Sequence, residues 1–159
     1  MVMMSNRLQR EIKKTKPFDS LEQEAHLNLV RTAQLLQEPF EQLMKPHNLS
    51  GTQYNVLRIL RGAGEPLPCG QIGDRMVTRD PDITRLLDRL EKRGLITRER
   101  STADRRVVLA AITPDGLKLL KELDEPVIGL HVNQLSHMTK DQLRTLIDLL
   151  EAAREAKRE

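Results

Sequence analysis

The chain has 159 residues, with only three aromatic side chains, one cysteine and a formal net charge of +3. This length suffices for one domain with a usable core and leaves little room for a second. The single cysteine excludes an intramolecular disulfide and a cysteine-cluster metal site, and three aromatic rings are too few to stack single-stranded nucleic acid. Without an apolar run of ~20 residues or a signal-like N-terminus, the sequence predicts a cytoplasmic protein that does not span a membrane.

The N-terminal part is predicted to be helical. Residues 1–16 are basic, which fits a frayed terminus or an arm that touches DNA or a second subunit. A long helix is predicted from Asp19 to about Lys45. Pro39 lies inside it, and we expect a kink or a break near Gln37, because proline removes a backbone hydrogen bond and clashes with the preceding turn.

Two shorter helices follow. Ser50 and Gln53 have the spacing of a capping box, which predicts a helix through about Arg61. After a loop rich in glycine and proline, a helix is predicted over 69–76. Together with the next helix, it has the size and separation of a helix-turn-helix.

The segment 75–106 contains the strongest pattern in the chain. Apolar residues at 83, 86, 87 and 90 repeat at helical spacing, which predicts a helix over 81–93. Asp80 is its predicted N-cap, Pro81 its first residue and Gly94 its stop. Two strands are predicted next, at 95–99 and 107–112, joined by a polar tip. A capped helix followed by a basic hairpin is the outline of a winged helix.

Positive charge is concentrated in this segment. It contains ten Arg or Lys and six Asp or Glu, a balance of +4, so the rest of the chain carries −1. Such a local excess is expected for a surface that meets phosphates. The start of the helix also offers N–H groups and a positive dipole end to phosphate.

Four blocks of sequence in and beyond this segment resemble the MarR family of bacterial transcription regulators. They are Ile83-Thr-Arg-Leu-Leu-Asp-Arg-Leu90, Gly94-Leu-Ile-Thr-Arg98, Asp104-Arg-Arg106 and Thr113-Pro-Asp-Gly116. The resemblance extends from about residue 25 to the C-terminus. It implies a mainly α fold with a small β-hairpin wing, that is, a winged helix-turn-helix dimerised by its N- and C-terminal helices. It also implies a transcription regulator, in most cases a repressor, that a small effector releases from a pseudo-palindromic operator.

The predicted partner is double-stranded DNA. The major groove admits one α-helix, so exposed residues of the 81–93 helix and its approach should read bases or contact phosphates. Those candidates are Arg79, Asp82, Thr84, Arg85 and Arg89. The alternative for Arg85 and Arg89 is an exposed stripe paired with Asp88 or Glu91. In the wing, the resemblance implies that Arg106, with Arg105, enters the minor groove while Asp104 holds the arginine in place.

The terminal helices are predicted to form a homodimer. Thr113 and Pro114 should start a helix that continues past a disturbance at Pro126 and Gly129, and Thr139 to Gln142 forms a second capping box. Both ends of the chain have apolar stripes without a partner in a winged-helix core, so packing against a symmetry mate is the economical solution. The predicted division is therefore 1–45 and 114–159 for dimerisation and 46–113 for DNA binding.

The sequence contains little that identifies an effector. The resemblance implies a small phenolic or lipophilic compound, or an oxidant. Cys69 stands at a predicted helix start that could favour its thiolate, although an incidental thiol is the simpler interpretation. The four histidines have no spacing that demands a metal, no cofactor is indicated, and no catalytic motif points to an enzyme. An architectural DNA binder that ignores effectors is the alternative function.

Overall fold

The computed structural model describes residues 7–155, which form seven α-helices and three short strands. The elements in chain order are α1 (Arg7–Glu11), α2 (Leu21–Met44), α3 (Gly51–Ala63), β1 (Leu67–Pro68), α4 (Cys69–Arg75), α5 (Ile83–Lys92), β2 (Ile96–Arg100), β3 (Val108–Ile112), α6 (Pro114–Leu135) and α7 (Lys140–Arg154). Among these residues, no helix is both long enough and apolar enough to cross a membrane. The predicted fold class, mainly α with a small hairpin, is confirmed.

Both long helices continue through their internal prolines. Helix α2 begins after the cap Ser20 and is continuous past Pro39, so of the kink or break predicted near Gln37 the break is wrong. Helix α6 likewise continues past Pro126. A proline removes one hydrogen bond of many, and α2 and α6 pack against each other and against α3, so tertiary packing outweighs the local preference.

The three strands form one antiparallel sheet in the order β1-β3-β2. Ile96 lies opposite Ile112 and Arg100 opposite Val108. This is the predicted hairpin, with each of its two strands beginning one residue later than predicted. Strand β1 places Leu67 opposite Ala110 at the sheet edge. The sequence did not predict this strand because two residues, one of them proline, carry no readable alternation.

The core is aliphatic and lies beneath the helix-turn-helix and the hairpin. Its fully buried large side chains come from α2 to α6 and β2 and include Met44, Leu57, Leu60, Ile72, Leu87, Leu90, Ile96, Leu120 and Leu123. Helix α7 contributes no buried residue. The core therefore fixes α5 and the hairpin relative to α3 and α6, while α7 lies outside it.

A tight corner joins the hairpin to α6. Gly94 ends the turn after α5 with a left-handed φ of +69°. Its carbonyl accepts a hydrogen bond from Thr113 Oγ1 at 2.7 Å, and Thr113 Oγ1 accepts from the N–H of Gly116 at 3.1 Å. A Cβ at Gly116 would lie 2.4 Å from the carbonyl oxygen of Leu95. The close approach explains why glycine follows the Thr-Pro-Asp sequence.

Candidate nucleic-acid interface

Helix α5 begins two residues later than the sequence predicted. Its N-cap is Asp82, whose Oδ1 accepts a hydrogen bond from the N–H of Arg85 at 3.0 Å. Asp80 Oδ1 accepts from the N–H of Asp82 at 2.8 Å, an Asx-type turn that precedes the helix. The predictions of Asp80 as cap and Pro81 as first helical residue are therefore wrong, since Pro81 lies in the turn.

These two carboxylates change the electrostatics of the helix start. The sequence predicted free N–H groups that would receive a phosphate. The carboxylate of Asp82 instead accepts the hydrogen bond from one of those N–H groups, that of Arg85. The carboxylate of Asp80, which bonds to the N–H of Asp82, adds a second negative charge beside it. The start of α5 consequently favours a phosphate less than a helix capped by a neutral serine or threonine would.

The outer face of α5 carries the predicted cations. Leu86, Leu87 and Leu90 are buried, whereas Thr84, Arg85 and Arg89 on the opposite side are exposed. Arg79 is exposed in the turn that leads into the helix. Helix α5 thus presents guanidinium groups and a hydroxyl outward from a fully packed apolar base.

The acidic residues of α5 pair with Arg98 of β2, a residue that the sequence analysis did not single out. Glu91 Oε1 accepts from the backbone N–H of Arg98 at 3.1 Å, and Glu91 Oε2 accepts from Arg98 Nε and Nη2 at 3.0 and 2.6 Å. Asp88 Oδ1 accepts from Arg98 Nη2 as well. These bonds raise the pKa of Arg98, and the bonds to Glu91 contribute most to the increase.

This pairing bears on the alternative to DNA contact for the α5 arginines, an exposed stripe paired with Asp88 or Glu91. Asp88 and Glu91 were the possible partners of Arg85 and Arg89. Within residues 7–155, neither of these arginine side chains forms an ion pair or a hydrogen bond, because both acids face β2. The arginines of α5 therefore project toward solvent without a carboxylate partner.

The tip of the hairpin is held by backbone contacts. Asp104 Oδ1 accepts from the N–H of Arg106 at 3.0 Å, and Arg100 Nη1 donates to the carbonyl of Arg105 at 3.0 Å. Asp104 thus contacts Arg106 through the backbone, and its role in holding the guanidinium for DNA stays a prediction. The side chains of Arg105 and Arg106 are both exposed.

A cavity of about 970 Å³ lies between α2, α3, α6 and the turn that precedes α5. Its aromatic wall consists of Phe40, Tyr54 and His131: the ring of Phe40 meets that of Tyr54 edge-on at 5.5 Å and stacks with that of His131 at 6.0 Å. Val77 and Thr78, at the start of the turn, also line the cavity. A ligand here would touch both the long helices and the approach to α5.

Two polar side chains of α3, Asn55 and Arg58, line this cavity. Asn55 Oδ1 accepts from the N–H of Val77 at 2.8 Å, which ties the turn to α3. Arg58 donates to Tyr54 Oη at 3.2 Å and lies 3.7 Å from Asp124, which already receives two shorter bonds from Arg61. Of the two arginines near Asp124, Arg58 therefore has the longer contact with the carboxylate, and Arg58 also lines the cavity. The sequence analysis predicted neither contact, although Tyr54 and Arg58 are four residues apart on α3.

A second, apolar groove of about 1150 Å³ runs between α1, α2 and α7. Most of its lining is apolar and includes Leu21, Leu35, Leu143, Leu146, Ile147 and Leu150. Ile147 is 54% exposed and Leu21 63% exposed. The apolar stripe predicted on the last helix therefore lines this groove, together with Leu21 and Leu35 of α2, whereas Met44 at the end of α2 is buried in the core.

Cys69 and the histidines give no support to redox or metal chemistry. Cys69 begins α4 but is partly buried, and burial raises the pKa of its thiol, opposite to the thiolate-favouring effect expected of a helix start. Within residues 7–155, no three His, Cys, Asp or Glu side chains are grouped as metal ligands would be. His131 instead stacks on Phe40.

Comparison with known proteins gives consistent similarities. The MarR family profile matches residues 49–108. The organic hydroperoxide resistance transcriptional regulator of Bacillus subtilis is 33% identical over 139 residues, which cover 84% of this chain and 93% of the relative. The regulator MhqR of the same organism is 39% identical over 77 residues, and the match covers about half of each protein, 48% of this chain and 52% of MhqR.

Solved structures agree with the sequence matches. A MarR transcription factor from Planctomyces limnophilus is 48% identical and aligns with a TM-score of 0.66 over 86% of this chain and 99% of its own. BpsR of Bordetella bronchiseptica, whose DNA binding is regulated by 6-hydroxynicotinic acid, is 25% identical with a TM-score of 0.77 over 89% of this chain and 100% of its own. The helix-turn-helix, the hairpin and the flanking helices thus recur together in these proteins.

Proposed function

The chain belongs to the MarR family of transcriptional regulators, and on this premise we propose that it is a cytoplasmic, homodimeric repressor. The dimer would bind a pseudo-palindromic operator and dissociate from it when a small effector binds. The observation that carries the proposal is the exposed set of arginines on α5 and the hairpin tip. The same chain has a cavity that is lined in part by Val77 and Thr78, at the start of the turn that leads into α5.

We assign the DNA contacts to two elements. Helix α5 would enter the major groove, with Arg79, Thr84, Arg85 and Arg89 reaching bases or phosphates. Asp82 would act mainly as the cap that fixes the start of this helix, since its carboxylate bonds to the backbone.

The hairpin would act as the wing. Arg105 and Arg106 would enter an adjacent minor groove, where a narrow A·T-rich tract attracts guanidinium groups. Asp104 would shape the tip through its bond to the backbone of Arg106. Both arginines are exposed at the tip, as such a role requires.

The homodimer would form through the groove between α1, α2 and α7. The groove is apolar and uncovered, and two copies of this chain would bury it isologously, as in closed two-fold dimers. The segments 1–45 and 114–159 would then dimerise and 46–113 would bind DNA. Two-fold symmetry would set the α5 helices in successive major grooves about 34 Å apart.

The effector would bind in the cavity lined by Phe40, Tyr54 and His131. Its aromatic wall suits a small phenolic or other lipophilic compound, and Arg58 suits a ring that carries a carboxylate or phenolate. The regulation of BpsR by a hydroxylated aromatic acid supports this class of compound.

The test begins with selection of duplexes from a randomised pool by the purified protein, followed by footprinting and titration at two salt concentrations. A symmetric footprint over two half-sites and a preference of ~10³ or more over random duplex are expected. Sedimentation should give a dimer, and aromatic acids should weaken binding. Salt-abolished binding without a footprint or an effector response would instead indicate an architectural DNA binder.

A further inference from the structure

We propose that Arg98 is a positioning residue that joins helix α5 to the wing, so that both elements reach DNA as one unit. This inference rests on the proposed function of operator binding and adds a role for a residue that need not touch DNA itself. The geometry that carries it is the pairing of one strand arginine with two carboxylates of the helix.

The first step is the direction of the contacts. Asp88 and Glu91 are three residues apart, so both lie on the side of α5 that faces β2. Arg98 bonds to Glu91 through its backbone N–H and through its guanidinium, which fixes the orientation of the strand as well as that of the side chain. The Arg98 side chain is 22% exposed, whereas Asp88 is 45% and Glu91 38% exposed, so the guanidinium is the most shielded member of the cluster.

The second step is the path from Arg98 to the wing tip. Strand β2 continues for two residues beyond Arg98 and pairs with β3 as far as Arg100 and Val108. The tip then begins, closed by the bond from the N–H of Ser101 to the carbonyl of Val107. The position of the tip relative to α5 therefore depends on the strand segment that Arg98 ties to the helix.

The third step is electrostatic. Without Arg98, Asp88 and Glu91 would be unpaired carboxylates on the same helix as Arg85 and Arg89, and would attract those arginines away from DNA. With Arg98 present, both carboxylates bond to its guanidinium, which offsets one of their two negative charges, and the α5 cations remain available. A lysine would supply the charge but not the planar fork that reaches both carboxylates.

The experiment compares Arg98→Gln and Arg98→Lys with the wild type. Arg144→Gln is the control, because it removes an arginine from an exposed ion pair with Asp141, and Arg144 is not among the side chains that line the groove proposed for the dimer. The probes are a fluorescein-labelled duplex of the sequence that the wild type selects and a random duplex of the same length. Hydrogen–deuterium exchange of the DNA-free protein reports on the wing, residues 99–107.

Arg98→Gln should lose at least tenfold in affinity for the selected duplex and about threefold or less for random DNA, with Arg98→Lys intermediate and the control unchanged. Wing amides should exchange faster in Arg98→Gln, while those of α6 keep their wild-type rates. Equal losses on both duplexes with faster exchange throughout would overturn the proposal in favour of a general structural role. Unaltered binding by Arg98→Gln would also overturn it.

The proposed function and this inference can fail separately. If the wild type selects no sequence, the operator function fails, and the exchange measurement alone decides on Arg98. Faster exchange confined to residues 99–107 would then still support the link between α5 and the wing, and unchanged exchange would refute it.

Discussion

Asn55 and Val77, separated by 22 residues, are joined by one hydrogen bond from the Val77 N–H to Asn55 Oδ1 at 2.8 Å. Both residues line the cavity proposed for the effector. Val77 is 91% exposed, so no apolar burial of its side chain holds the turn in place. The turn that leads into α5 is thus tied to α3 at a point that a cavity ligand would touch.

Asn55→Ala should therefore weaken operator binding by about three- to tenfold. The freed N–H of Val77 is open to water, so the loss of stability should remain near the ~1 kcal/mol typical of one hydrogen bond. Fluorescence anisotropy with the selected duplex and thermal unfolding would separate these effects. Asn55→Asp keeps an acceptor at the same position and serves as the rescue variant.

Asn133→Ala offers a matched control, because Asn133 is exposed on α6 and lines neither the cavity nor the groove between α1, α2 and α7. Wild-type affinity in Asn55→Ala, or an equal loss in the control, would show that the bond to Val77 does not position the helix.

The sequence predicted the caps and the hairpin because these features are local. Ser50, Thr113 and Thr139 each accept a hydrogen bond from an N–H three residues on, a spacing that is visible in the chain. Gly94 ends the α5 turn for an equally local reason, its positive φ. The same logic misplaced the start of α5, where two aspartates two residues apart compete to be the cap.

The contacts that complete the site depend on packing between distant segments. Arg98 reaches Asp88 across ten residues and Asn55 reaches Val77 across 22, so no periodicity indicates either pair. The continuity of α2 through Pro39 depends likewise on packing against α3 and α6. Sequence patterns thus identified the exposed arginines of the candidate surface but not what holds them in place.

Gly116→Ala should destabilise the protein by about 1–3 kcal/mol, the usual cost of overpacking. The new Cβ would lie 2.4 Å from the backbone oxygen of Leu95 and 2.7 Å from Ile112 Cγ1. A backbone atom cannot rotate away as a flexible side chain can, so the hairpin would have to shift. Urea unfolding with two probes would measure the change.

Gly129→Ala in the same helix is the control, because a Cβ added at Gly129 would meet no atom within 4 Å. It should stabilise the protein by up to about 1 kcal/mol, as alanine favours helix over glycine. A neutral or stabilising Gly116→Ala would contradict the close approach described for this corner.

The Arg61–Asp124 pair predicts a pH-dependent contribution to stability. Arg61 Nη1 and Nη2 donate to the two carboxylate oxygens at 2.9 and 2.7 Å, and these bonds lower the pKa of Asp124 below its usual value. A lowered folded-state pKa stabilises the protein above the unfolded value of about 3.9, and this contribution is lost as the pH falls through the folded value. Asp124 is about one third exposed, so Asp124→Asn should cost only about 1 kcal/mol at pH 7.

The difference between wild type and Asp124→Asn should therefore stay constant from pH 7 to pH 5 and shrink below about pH 4. Thermal unfolding at several pH values would measure it. Asp141→Asn removes an exposed carboxylate paired with Arg144 and should show almost no such difference. A difference that grows on acidification would have the wrong sign for this pair.

Replacement of Arg85 on α5 and of Arg106 in the wing should change DNA binding in different ways. Arg85→Ala keeps the backbone N–H that Asp82 caps and a good helix former, so α5 should remain folded. If Arg85 reads a base, the selected duplex should bind about 5- to 150-fold more weakly, which corresponds to about 1–3 kcal/mol, and random DNA should bind nearly as before. If Arg106 contacts the backbone and the minor groove, Arg106→Ala should weaken both duplexes and lower the salt slope by about 1. Titrations at several salt concentrations measure both quantities, and small, equal losses in the two variants would remove these residues from the interface.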